Sequence, residues 1–202
     1  GATPYVLVTP PGSPYKTLAD VVAAAKKKPG ELSYASAGNG TISHLLGAML
    51  NTSAGIEMQH IPYKGGGPAL NDVVGGQVPV FFGSVASTKQ YVETGKLNAL
   101  AVTGKKRASS MPNVPTMAEA GIPGYEVYEW NGIFAPAATP IVILTKIANA
   151  ISQVMQSPEV KERVTSLGGE IFQGDAGVAD KFIKAQMVEW SKLVKSGKIT
   201  VD

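Results

Sequence analysis

Ser36-Ala37-Gly38-Asn39-Gly40-Thr41-Ile42-Ser43-His44 is the stretch best suited to hold a charged ligand. The apolar run Leu32–Ala35 leads into two glycines, and a new pattern begins at once. Ile42, Leu45, Leu46, Met49 and Leu50 follow the i, i+3, i+4, i+7, i+8 spacing of a helix packed on one face. A strand, a glycine turn and a helix start together present unpaired backbone N–H groups at the positive end of a helix dipole. The chemistry this predicts is capture of a carboxylate or a phosphate, and a binding protein rather than an enzyme.

Two further loops carry suitable groups. Tyr63-Lys64-Gly65-Gly66-Gly67 precedes a helix with Leu70, Val73 and Val74 on one face. It reads either as a flexible turn with a solvated lysine or as a second wall of the same anion pocket. Gly83-Ser84, after the strand Val78–Phe82, makes a third loop and is expected to line the pocket. Loops that follow strands of a parallel sheet emerge at its carboxyl edge, where α/β proteins bind ligands.

Catalytic sets are scarce. The chain has two histidines, His44 and His60, and no cysteine. His44 reads as a pocket group or as a hydrogen-bonded histidine beside the core. His60, alternating with Met58, reads as structural. No H-E-x-x-H, G-x-S-x-G or Walker pattern is present, and Gly38-x-Gly40-Thr41 lacks the lysine that follows in a phosphate loop. No catalytic residue, cofactor or metal site is expected. A transferase-like enzyme that holds a phosphorylated substrate at the Gly38–Thr41 helix start is the alternative reading.

The elements that must position these loops alternate. Strands are predicted at Tyr5–Val8, Leu32–Ala35, Ile56–Ile61, Val78–Phe82 and Leu97–Val102. Helices between them begin at Thr17, at Ile42, before Leu70 and after Ser84, which predicts an α/β layer with a mainly parallel sheet. Gly104–Gly124 is rich in Pro, Ser and Gly, with a short helical piece at Met117–Ala120. Val127–Phe134 reads as extended, Thr139-Pro140 as a capped helix start, Ile171-Phe172 as a short strand and Val178–Lys195 as a final helix. The last third is mostly helical, and its apolar faces at Ile143–Val154 and Phe182–Val194 lack a partner in the chain.

Composition agrees with a packed globular chain. Of 202 residues, 44% are hydrophobic and 16% charged, which excludes disorder. A net charge of +3 is mild, and Lys26-Lys27-Lys28 falls at a helix end where cations favour the dipole, so no nucleic-acid surface is expected. No run is long enough to span a membrane.

Magnitude limits what one helix start can do. It is worth about 0.3–1 kcal/mol to an exposed anion and about 2 when partly buried. Micromolar binding needs about 8 kcal/mol. A second surface must close over the ligand.

An ordered set of motifs identifies such a surface by resemblance. Tyr34-Ala35-Ser36-Ala37-Gly38-Asn39-Gly40-Thr41 with His44-Leu45, Ile61-Pro62-Tyr63-Lys64-Gly65 through Pro68-Ala69-Leu70, Gly95-Lys96-Leu97, Val114-Pro115-Thr116 through Gly121, and Gly132 with Ala135-Pro136 resemble the Bug (TctC-like) family. These are extracytoplasmic solute receptors of tripartite tricarboxylate transporters. The resemblance implies a type II periplasmic binding protein-like fold, two lobes with parallel or mixed sheets, closing on a small organic acid. It implies that residues 1–128 form the second lobe and 129–202 the hinge return and the C-terminal part of the first, with the N-terminal part of that lobe missing from this chain. It implies carboxylate contacts from Ala37, Gly38 and Thr41, with Asn39 and Gly40 in the same loop and His44 and Tyr63 lining or supporting the wall. The resemblance implies a dicarboxylate, tricarboxylate or aromatic acid as ligand, and family members often carry Asp where this chain has Gly83, which favours a dicarboxylate or aromatic acid over an amino acid. A periplasmic location, membrane transporter subunits as partners, and association or swapping through the uncovered first-lobe helices are the remaining expectations.

Overall fold

The computed structural model describes residues 2–169, 171, 174 and 176–196. Strands β1 (Ala2–Thr9), β2 (Ser33–Ser36), β3 (Gln59–Pro62), β4 (Val80–Ser84) and β5 (Asn98–Val102) alternate with helices α1 (Leu18–Lys27), α2 (Ile42–Ala54), α3 (Gly66–Val74) and α4 (Val85–Glu93). The sheet order is β3-β2-β4-β1-β5. β2 runs parallel to β3 and β4, whereas β1 lies between β4 and β5 and antiparallel to both. The sheet is therefore mixed, with the reversed strand inside it, next to the edge strand β5.

Side-chain alternation splits the core across the two faces of the sheet. Leu7, Tyr34 and Phe82 point to one face, where Leu18 and Val21 of α1 and Leu46 and Leu50 of α2 cover them. Val6, Val8, Ala35 and Phe81 point to the other, under Leu70 and Val73 of α3 and Val85 of α4. Burial on both faces explains why these strands read as continuous apolar runs. Gly47 lets α2 sit close to the sheet, since a Cβ there would meet the Tyr34 ring at 2.0 Å.

The first residues of β1 also pair with β6 (Tyr128–Trp130), antiparallel, with Ala2 opposite Trp130. Beyond β6 come α5 (Ile141–Gln156), α6 (Pro158–Ser166) and α7 (Ala176–Ser196). α5 has no buried residue, and Ile141 and Val142 are 73% and 76% exposed. The apolar faces that the sequence leaves without a partner are thus open, apart from contacts such as Trp130 edge-on to Phe182 and Trp190 against the core.

Local expectations fared unevenly. Met117–Ala120 forms turns rather than helix, and α5 begins after Pro140 with no cap from Thr139. Ile171 is not in a strand, and Phe172 lies outside the described residues. Among the described residues no helix is long and apolar enough to cross a membrane.

Candidate anion-binding site

β2, β3 and β4 run in one direction, so α2, α3 and α4 all start at the same edge of the sheet. The first two loops are joined. The Tyr63 N–H donates to Ser36 O at 3.0 Å and the Gly65 N–H to Ala37 O at 2.9 Å. Gly38 is needed at this seam: its φ is +132°, and a Cβ would stand 3.0 Å from the Tyr63 carbonyl oxygen. Tyr63 then staples its loop to α3, its hydroxyl donating to Asp72 Oδ2 at 2.7 Å. That hydrogen bond, with burial and the carboxylate charge, pushes the phenol up to about 12.

Inside the β2–α2 loop the expected donors are already engaged. The Ala37 N–H donates to Ser43 Oγ (2.9 Å), the Gly38 N–H to Ser36 Oγ (3.0 Å) and the Gly40 N–H to His44 Nδ1 (3.1 Å). The Thr41 hydroxyl donates to Gly38 O at 2.7 Å. These bonds fix the loop's shape instead of facing a ligand. The groups left over are at the helix starts themselves. Thr41 is the N-cap of α2 and Gly65 that of α3, and neither helix has a side-chain cap. By contrast Thr17, Ser84 and Ser157 cap α1, α4 and α6. α5 also starts uncapped, but not at this corner. First-turn N–H groups at Ile42, Ser43 and His44, and at Gly66 and Gly67, therefore lie at the same sheet edge without an intrahelical acceptor. An acceptor-only, negatively charged group is what such donors bind.

The remaining candidates divide. Asn39 is exposed at the tip of the loop and Lys64 is exposed beside Tyr63. Gly83 is buried within β4 opposite Val6, and a Cβ there would meet Thr88 Cγ2 at 2.4 Å and the Phe81 ring at 2.9 Å. It offers a pocket no side chain, and an aspartate would not fit without repacking. Ser84 uses its hydroxyl as the cap of α4, accepting from the Ser87 N–H.

His44 and His60 form a pair that spacing alone does not reveal. Their rings stack with centroids 3.7 Å apart and planes 5° from parallel. His60 Nε2 is 2.5 Å from Ser36 Oγ. Burial lowers the proton affinity of His44. Burial, and then the neighbouring His44, lower that of His60 to about 4. Both rings are neutral near neutral pH. Ser36, Ser43 and His60 join the site as groups that shape it. The one available signal was cross-strand pairing, which sets His60 opposite Tyr34.

A cavity of about 560 Å³ lies between the loop after β5 and α6, lined by Lys106, Arg107 and Lys161 among others, and shares no residue with this corner. Among the described residues no cluster of His, Cys, Asp and Glu suits a metal ion.

A mixed sheet with helix starts gathered at one edge, and a strand pair leading to further helices, is the architecture of a periplasmic binding protein. The family model for the tripartite tricarboxylate transporter family receptor (TctC) matches residues 1–199, and the chain belongs to that family. It is 38% identical over 192 residues to the UPF0065 protein in the tcbD-tcbE intergenic region of Pseudomonas sp. (strain P51), covering 95% of this chain and 57% of that one. The structure superposes with a TM-score of 0.92 on R. palustris Rpa4515 with adipate, at 30% identity over 100% of this chain and 67% of that one. With MatC (Rpa3494) from Rhodopseudomonas palustris with bound malate the TM-score is 0.85, at 28% identity over 96% and 67% of the two chains. The chain thus spans between about half and two-thirds of the length of these proteins. The family is one of transport receptors, not enzymes, and the transferase reading finds no support in it.

Proposed function

We propose that this chain carries the carboxylate-binding corner of an extracytoplasmic solute receptor. It captures a small organic acid between the starts of α2 and α3 and delivers it, without chemistry, to membrane subunits of a tripartite tricarboxylate-type transporter. The observation that carries this reading is the meeting of two uncapped helix starts at one hydrogen-bonded seam. Adipate and malate in the two similar structures support a dicarboxylate as the ligand class. The family supports the transporter as the recipient and the periplasm as the location.

Ala37, Gly38, Asn39, Gly40 and Thr41 form the loop, with His44 and Tyr63 as its supports, and the first-turn amides of α2 and α3 as donors. Two or three charge-assisted hydrogen bonds at about 1.5–3 kcal/mol each fall short of, or barely reach, the roughly 8 kcal/mol of micromolar affinity once ordering costs are subtracted. A facing wall is therefore required. In this reading residues 1–128 form one lobe, and 129–202 are the return through the hinge and the C-terminal part of the other.

Calorimetric titration of the full-length protein with adipate, malate and citrate, against inorganic phosphate and ATP, tests the proposal. Micromolar or tighter binding of a carboxylate with the phosphates inert is expected. Binding of the phosphates with the carboxylates inert, or of no acid at all, would overturn it.

A further inference from the structure

We propose that His60 is a positioning residue of this corner, holding both glycines of the β2–α2 loop through Ser36 and His44. The proposal deepens the carboxylate reading and rests on it for its ligand.

His60 stands in β3 between two rings. Tyr34 stacks on one side at 5.2 Å, and His44 on the other at 3.7 Å. Each polar neighbour of the ring grips one glycine. Ser36 Oγ, 2.5 Å from His60 Nε2, bonds both the N–H (3.0 Å) and the carbonyl (3.2 Å) of Gly38. His44, held flat against His60, accepts the Gly40 N–H at Nδ1.

Proton placement follows from counting donors. Ser36 has one hydroxyl proton and two lone pairs. Only one arrangement satisfies all three contacts. Ser36 donates to the Gly38 carbonyl and accepts from the Gly38 N–H and from a His60 Nε2–H. His44, accepting at Nδ1, is neutral and carries its proton on Nε2. The low proton affinity of His60 agrees with a neutral ring in this role. The Thr41 hydroxyl is a second hold on the Gly38 carbonyl, so loss of His60 loosens the loop without releasing it. A histidine that merely filled space would need neither the Ser36 contact nor the parallel stack.

The test is made in the full-length protein with two variants. His60→Phe keeps a flat ring for the stack and removes the donor. His60→Gln keeps a donor and removes the stack. Titration with adipate and malate should show about tenfold weaker binding for His60→Phe, or about 1.4 kcal/mol, while the folded fraction is unchanged at the assay temperature. His60→Gln should recover the part that runs through Ser36 and bind between His60→Phe and the wild type. Ser36→Ala added to His60→Phe should cost less than the sum of the two single losses, because His60 acts in part through Ser36. Full affinity in His60→Phe, a loss that only tracks unfolding, or fully additive losses with Ser36→Ala would each overturn the proposal. The amides of Gly38 and Gly40 supply a readout free of the ligand. His60→Phe should shift their NMR resonances and speed their hydrogen exchange. If neither acid binds the wild type, the carboxylate reading fails, and unchanged amides would then overturn the positioning role as well.

Discussion

Gly38→Ala is the most informative single change, because two costs fall on one atom. The residue sits at φ +132°, a region that side-chain-bearing residues rarely adopt, and its new Cβ would stand 3.0 Å from the Tyr63 carbonyl oxygen. The backbone strain costs about 1–3 kcal/mol. The contact adds about 1 kcal/mol more, since the neighbour is main chain and cannot rotate away. A total of roughly 2–4 kcal/mol corresponds to a fall in Tm of about 4–16 °C for a chain of this size. Relief by moving Tyr63 would stretch the bonds from Tyr63 N to Ser36 O and from Gly65 N to Ala37 O. The starts of α2 and α3 would then separate. Losing one charge-assisted hydrogen bond of about 1.5–3 kcal/mol weakens a bound acid by about 10- to 100-fold. Thermal unfolding by circular dichroism and titration with adipate measure the two effects. Gly12→Ala is the control, having ordinary φ and nothing within 4 Å of the added Cβ. A Gly38→Ala protein with the Tm and affinity of the control would refute the argument that this seam holds the site.

Thr41→Val removes the hydroxyl that donates to Gly38 O at 2.7 Å and lies 3.1 Å from Ser43 Oγ; a loss of about 1 kcal/mol of stability and several-fold weaker acid binding are expected, and unchanged titrations would count against the loop's role. Stability should also depend on His60. Its value of about 4 in the fold lies below its ordinary 6.5, so the unfolded chain binds more protons between them, and the contribution is complete above about pH 6.5 and is lost as pH falls toward 4. The full shift would be worth about 3.4 kcal/mol, reduced to about 1–2 by the ring's partial exposure. Its neighbours in this titration are His44, Ser36 and Tyr34. Denaturant unfolding of wild type and His60→Phe should converge over that window, and a constant difference between them would contradict the assignment. Finally, the 202-residue chain on its own should associate or swap through α5 and α7, where Val142 is 76% and Met187 64% exposed; light scattering that shows a monomer across a dilution series would refute this.

How much of this was legible in the sequence depended on the range of the interaction involved. Leu18, Val21 and Ala25 mark α1 because their spacing is local, and all three are buried. The place of β1 was not legible. Its residues are apolar on both faces wherever the strand sits, and only the order of the sheet decides that Val6 pairs with Gly83 and Val102. The same limit hid His60, whose partners Tyr34, Ser36 and His44 lie in other elements. Gly83 fails the opposite way. A glycine after a strand reads as a loop, but Thr88 and Phe81 fill the space a side chain would take.

At the Ser36–His44 corner the sequence marked the glycine turn and helix start, but not how the loop's own hydrogen bonds are arranged. Spacing and the glycines marked a helix start able to hold an anion. Which N–H groups remain for the anion depended on whether Ser36, Ser43 and His44 fold back on the loop, and they do. That consumes the Ala37, Gly38 and Gly40 amides, and the proposed donors lie one turn onward, on α2 and its neighbour α3, the two helices at this edge with no side chain to close them. A polar loop that satisfies itself and leaves only helix starts open has a fixed shape before the ligand arrives. In the proposed function less ordering is then lost on binding, which is how a corner with few direct contacts would reach useful affinity once a second wall closes over it.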